Sequence, residues 1–155
     1  MLFLHVTSYS VWLGASLTFM LWGPASRRAS LEVWAHSWMV LSTIQRVVVA
    51  PACLVATVTG VYLTMALVQS HFDMGSAVWL MVMQSFGLLA ALLTLAIATP
   101  LVNRMGLLAA RSLEKGVREP SAEAVRRRLA LVGSIAGALI VVSIYFGEAK
   151  TVVSG

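Results

Sequence analysis

Four long apolar stretches alternate with more polar connections along the chain, and this alternation predicts the fold. The stretches run from about Leu2 to Trp22, Val47 to Val68, Ala77 to Val102 and Leu129 to Gly147. Each supplies the ~20 mostly apolar residues that cross ~30 Å of hydrocarbon. Backbone polar groups in a bilayer must be satisfied internally, so spans are helices or closed barrels. These runs are too long and too continuously apolar for barrel strands. The pattern predicts an all-α integral membrane four-helix bundle, one membrane domain over residues 1–155. The first stretch is expected to stay as a span. No basic residue precedes it and its apolar core is too long for a signal peptide, although Pro24-Ala25-Ser26 faintly resembles a cleavage region.

The connections differ in length. Residues 69–76 form a short turn with Asp73 and Gly75, whereas residues 23–46 and 103–128 form longer connections. In the first of these, Leu31, Trp34, Trp38 and Leu41 recur at spacings of three and four, with Glu32 and His36 off that stripe. This predicts an interfacial helix or an extension of the second span, with His36 at the interface. Leu107, Leu108, Arg111, Glu114, Lys115 and Arg118 predict that the third helix continues past the membrane. Pro120-Ser121 ends that helix and the residues after it start the fourth. No internal repeat is visible.

Composition narrows the class. Apolar residues make up 59% of the chain, against ~45–50% in soluble domains. Charged residues make up 11%, against ~25%. A soluble enzyme, a disordered tail and a nucleic-acid-binding domain are excluded on this balance. The net charge is +5, and its distribution sets the orientation. Arg27, Arg28 and Arg46 lie in the first connection, and Arg104, Arg111, Lys115, Arg118, Arg126, Arg127 and Arg128 in the third. Lys150 alone lies on the other side, with Asp73 and Glu148. Basic connections stay in the cytoplasm, so both termini are expected outside, in a multi-pass inner-membrane protein. The single cysteine, Cys53, forms no internal disulfide.

Small residues mark helix contacts in membranes. Gly133 and Gly137 form a GxxxG pair, Gly14 lies beside Ala15 and Ser16, and Gly87 precedes Ala90 and Ala91. These predict packing within the bundle, with a homodimer seam on Gly133 and Gly137 as the second reading. Pro51 is expected in the first turn of the second span, or at a kink if that helix begins earlier.

Ionisable groups within spans are expensive and default to functional hypotheses. On a helix, His5, Tyr9, Trp12, Ser16 and Phe19 share a face. Imidazole, phenol and indole together suit a flat aromatic ligand or haem; the alternative is an interfacial aromatic belt. His71 in the outer turn lies at the level of His5, as do Asp73 and Glu148. His5 and His71 are therefore candidate metal ligands, since imidazole suits Zn, Cu and Fe. A solvated rim is the alternative. Met74, Met81 and Met83 offer thioethers to Cu(I), or packing. Gln84 is expected to donate an interhelical hydrogen bond. Arg27, Arg28, Arg46 and Arg104 suit lipid phosphates, cofactor carboxylates or simple anchoring.

The order Leu4-His5-Val6, Trp12-Leu13-Gly14, a basic connection, Arg46, and Pro51-Ala52 through Thr59-Gly60 resembles a bacterial membrane superfamily. It comprises the HemJ-type protoporphyrinogen oxidases, the CopD-like copper-resistance proteins and related uncharacterised four-helix proteins. The resemblance is best over the first 65 residues. It implies haem b with His5 as axial ligand, and redox chemistry on a porphyrinogen or electron transfer. The oxidases carry a lysine in the third helix a few residues after a tryptophan. Here that stretch reads Trp79-Leu80-Met81-Val82-Met83-Gln84, without lysine. The uncharacterised or CopD-like branch is therefore the closer resemblance. His5 and Arg46 are expected near opposite membrane faces, ~30 Å apart, too far for one haem unless the second helix begins earlier.

The sequence thus predicts an inner-membrane protein that binds haem b, or a metal such as copper, through His5 for redox or electron-transfer work. His71 or a residue of another chain would supply the second ligand. A homo-oligomer or a larger membrane complex is the expected assembly. The alternatives are a non-catalytic accessory subunit, docked through its small-residue faces and Trp-rich connection, and copper or small-solute transport by an oligomer. No nucleic-acid partner and no hydrolase signature are indicated.

Overall fold

The computed structural model describes residues 1–70 and 78–153, with side chains through residue 146. The described residues form four helices. These are α1 (Leu2–Ala25), α2 (Leu31–Gln69), α3 (Val78–Lys115) and α4 (Pro120–Val153). The all-α four-helix bundle expected from the apolar runs is the fold observed. His71, Asp73, Met74 and Gly75 lie outside the described residues, as do the side chains of Glu148 and Lys150.

α2, α3 and α4 are each long and apolar enough to cross a membrane. Leu54, Val58, Met65, Leu131, Val141 and Tyr145 turn outward, as lipid-facing residues do. The chain is therefore a multi-pass membrane protein. α1 has no charged residue but is richer in hydroxyls and falls outside that set. Three of its hydroxyls are satisfied locally: Ser10, Ser16 and Thr18 donate to the carbonyls of Val6, Trp12 and Gly14.

α2 has 39 residues and α3 has 38. At ~1.5 Å per residue each is nearly 60 Å long, well beyond the ~30 Å hydrocarbon core. The apolar runs beginning near Val47 and Ala77 form the upper parts of these helices. The Trp34/Trp38 stripe and the Leu107–Arg111 segment extend them at the basic end. There Trp34, Trp38 and Leu41 pack with Met105, Leu108 and Val125 in one buried core. The tightest approach is between Gly106 and Ser42, where an added Cβ would lie 2.6 Å from the Ser42 hydroxyl. Only glycine fits that crossing.

The connections at the basic end are short and tied together. A 3-10 turn, Ser26–Arg28, leads to Ser30, whose hydroxyl caps α2 by accepting from the Val33 N–H. α3 ends on Gly116 at φ 68°, the left-handed conformation that suits glycine. Arg118 then donates to the Arg27 and Ala29 carbonyls and lies 5.2 Å above the Trp34 ring.

Both long helices are interrupted by a π-turn, Gln45–Val49 in α2 and Leu93–Ala98 in α3. Each ends just before a proline. The Ala50 N–H bonds back five residues to the Gln45 carbonyl, ahead of Pro51. The Thr99 N–H bonds back five residues to the Thr94 carbonyl, ahead of Pro100. Proline lacks an N–H and its ring clashes with the carbonyl four residues back; a widened turn relieves both. Of the two readings of Pro51, the earlier-starting helix is the one observed: Pro51 lies inside α2, which begins at Leu31.

The bulges change partners. Below them α2 and α3 pack closely on each other; above them α2 packs on α1, and α3 on α4. The upper core joins Trp12, Val49, Cys53, Ala56, Ala90 and Ile140. Of the glycines expected at helix contacts, Gly87 faces the Ser143 hydroxyl and Gly137 faces the Met20 sulfur, with an added Cβ at 3.6 and 3.2 Å. Gly14 and Gly133 are corrections. A Cβ there would meet nothing within 4 Å, so packing within this chain does not require glycine at either.

Candidate functional site

Where the upper halves of α2 and α3 separate, a cleft opens over the face of α1 that carries His5, Tyr9 and Trp12. This cleft encloses a cavity of about 70 Å³, also lined by Gly60, Gln84 and Gly87.

His5 is placed by three neighbours. Its Nδ1 lies 2.8 Å from the Ala56 carbonyl oxygen and 3.1 Å from the Thr59 hydroxyl. A carbonyl only accepts, so Nδ1 carries a proton, and Nε2 is the nitrogen that the neutral ring leaves as acceptor or ligand. Thr59 itself donates to carbonyls in its own helix. Gly60 makes room for the ring: an added Cβ would stand 3.0 Å from Cε1. His5 therefore faces the bundle and is held from the opposite helix. An imidazole fixed through one nitrogen on a carbonyl is the arrangement that presents the other to a metal.

Tyr9 and Trp12 continue the face one turn at a time. The Tyr9 hydroxyl donates to the Ile140 carbonyl of α4, at 2.9 Å. Its ring meets His5 at 6.1 Å and stands edge-on to Trp12 at 5.8 Å. Trp12 is 2% exposed, yet its indole N–H has no acceptor among the described residues. Buried indole N–H groups ordinarily find one. Gln84 has no hydrogen-bond partner among the described residues, so the expected interhelical bond is not formed; its amide borders the cavity instead. The interhelical bonds of α3 and α4 are made elsewhere, as from the Ser143 hydroxyl to the Met83 carbonyl at 2.9 Å.

His5, Tyr9 and Trp12 are thus brought together, while His71 lies outside the described residues. Met81 turns outward and only Met83 reaches the cavity, so the two do not form a thioether pair. Among the described residues no three His, Cys, Asp or Glu side chains gather at one point. His36 is exposed at the basic end, its Nδ1 on the Glu32 carbonyl. Arg46 sits in the α2 bulge, ten to fourteen residues below Ala56 and Gly60. That is ~15–21 Å along the helix, shorter than the span-length separation expected, because α2 starts earlier. Gly60 and Ala56 belong to the site but were not singled out as such. Their signal was the spacing of four that puts both on one face.

His5 offers one imidazole that could serve as an axial ligand. The enclosed volume of about 70 Å³ is well below the ~300–1,000 Å³ that whole ligands of drug size need. No family model, no curated protein and no solved structure matches this chain.

Proposed function

We propose that this membrane protein binds haem b through His5 and uses it for one-electron redox or electron-transfer work, in line with the resemblance to the HemJ/CopD-like superfamily. The observation that carries the reading is the His5 ring, fixed through Nδ1 on the Ala56 carbonyl at the mouth of a cleft within the bundle. His5 would hold the iron through Nε2. Tyr9 and Trp12 would pack along the ring, with the Trp12 indole N–H and the Gln84 amide as unspent polar contacts. Bound haem supplies a redox centre whose potential depends on the axial ligand and the polarity around it. The chain's own part is to orient one imidazole and to exclude water with an apolar wall. Orientation with both termini outside a bacterial inner membrane, and assembly as an oligomer or subunit, belong to the same proposal.

His5→Ala should abolish the Soret band of protein purified from haem-sufficient cells. Thr59→Val keeps the Ala56 carbonyl as Nδ1 partner and should retain it. A Soret band of equal intensity in His5→Ala would remove His5 from the site.

A further inference from the structure

A second, larger cavity lies beneath the first, at the level of the two bulges. It holds about 240 Å³ between α1, α4 and the π-turns of α2 and α3. Its upper wall is mostly apolar, with Phe19, Met20, Val49, Ala98 and Ala136, and carries the hydroxyls of Ser16, Thr94 and Ser134. Its lower end is not. Arg27 and Arg126 line it there, and both also line a cavity of about 190 Å³ that opens at the basic end. The Arg126 guanidinium therefore stands on the partition between an inner apolar chamber and an outer polar one.

The charge balance at that partition is positive. Arg126 is 6% exposed and holds Glu123 through two bonds, 2.8 and 2.7 Å. Arg127 draws on the same carboxylate at 3.0 Å. These two cations hold the Glu123 carboxyl down to about 2, so it stays ionised. Arg27 has no carboxylate partner among the described residues. Glu119, on the outer cavity, is taken by Lys115. Two arginines thus line the foot of the chamber, buried Arg126 and exposed Arg27, and the one acid beside them, Glu123, is shared by Arg126 with the exposed Arg127 outside it. A buried cation in such a place favours an anion over an empty site. Trp38, 1% exposed, lines the same chamber and its indole N–H has no acceptor among the described residues. Gly133 borders the chamber too, and a Cβ there would meet nothing.

We infer that this chamber binds an anionic amphiphile, its carboxylate or phosphate head paired with Arg126 and Arg27 and its apolar body lodged between the two bulges. At ~30 Å³ per heavy-atom group, water's share of liquid volume, the chamber of about 240 Å³ takes a body of about eight carbons. The inference is independent of haem at His5.

The test uses the full chain in phosphatidylcholine nanodiscs, titrated with radiolabelled decanoate against empty nanodiscs. Saturable binding near one decanoate per chain is expected, with no competition from decyltrimethylammonium. Arg126→Gln should weaken binding at least tenfold. Glu123→Gln releases both arginines and should tighten it severalfold, an outcome that misfolding does not mimic. Gly133→Leu fills the chamber and should abolish binding while the protein stays monodisperse. Adding phosphatidylglycerol to the disc distinguishes the sources. Displacement of decanoate identifies a lipid headgroup as the occupant, and undisturbed binding identifies a free amphiphile; both support the site. No saturable binding to the wild type, equal affinity in Arg126→Gln, or equal uptake of the cationic amphiphile would overturn it.

Discussion

A histidine within a membrane helix is defined by what holds it. His5 is anchored across the bundle on the Ala56 carbonyl, and Gly60 gives its ring the space to lie there. Gly60→Ala brings a Cβ to 3.0 Å from Cε1, so the ring must tilt by a few tenths of an ångström. With haem on His5, this variant should retain the chromophore but shift the reduced α and β bands. An unshifted spectrum would show that the ring does not rest on Gly60. The same logic applies with more force at Gly106. There Ala would clash with both heavy atoms of the Ser42 side chain, at 2.6 and 2.7 Å. Overpacking of this kind costs ~1–3 kcal/mol. Gly106→Ala should lower the midpoint of unfolding in a denaturing-detergent titration, and Ser42→Gly in the same chain should restore much of it. His5 was legible in the sequence because a charge-bearing ring stands out in an apolar run. Gly60, Gly106 and the unpartnered Gln84 were not. Their meaning lies in what stands opposite, and opposition is set by helix rotation that apolar runs do not encode. Gly14 and Gly133 show the converse: they share the small-residue signature of a contact and face open space.

At the scale of helices, the two π-turns decide the architecture. They sit opposite one another and are joined by a single side-chain bond, Gln45 Nε2 donating to Thr99 Oγ1 at 2.9 Å. Thr99 passes its own proton to the Thr94 carbonyl, so one hydroxyl seals its own bulge and receives the other. Interhelical hydrogen bonds in membranes average ~0.6 kcal/mol and reach ~1.7. Gln45 is 3% exposed, which places this one at the upper end. Thr99→Val should therefore destabilise by about 1–2 kcal/mol. Gln45→Leu added to it should cost little more, since the orphaned amide goes with it. Full additivity of the two single changes would show that the bond carries no coupling. The spacing of Trp34, Trp38 and Leu41 made the lower extension of α2 legible, and Leu107 to Lys115 did so for α3, which ends at Gly116 rather than at Pro120 and leaves Arg118 outside the helix. The bulges were hidden for a physical reason. A π-turn differs from an α-turn by one residue, and in a uniformly apolar stretch that slip leaves no mark on the periodicity. Only Pro51 and Pro100 signalled it, and a proline is equally at home in a first turn.

At the scale of the molecule, α2 and α3 are bundled tightly at the basic end and separate above the bulges. A small cleft carries His5 in the upper half, and a larger chamber floored by arginines lies below it. The apolar runs made the four-helix bundle legible, although only three of the four helices are long and apolar enough to cross a membrane among the described residues. The cavities were not legible, since they arise where two helices part. Positive residues at one end predict a cytoplasmic basic end. With Cys53 replaced by Ala, a cysteine placed at exposed Val117 should react with a membrane-impermeant maleimide only after cells are opened. Labelling of intact spheroplasts would reverse the orientation. The most direct measurement of the central claim is the absorption spectrum of the purified full chain, oxidised and then reduced with dithionite. The account predicts a Soret band with sharp reduced α and β bands, lost in His5→Ala. A featureless visible spectrum from haem-sufficient cells, or a spectrum indifferent to His5, would contradict it.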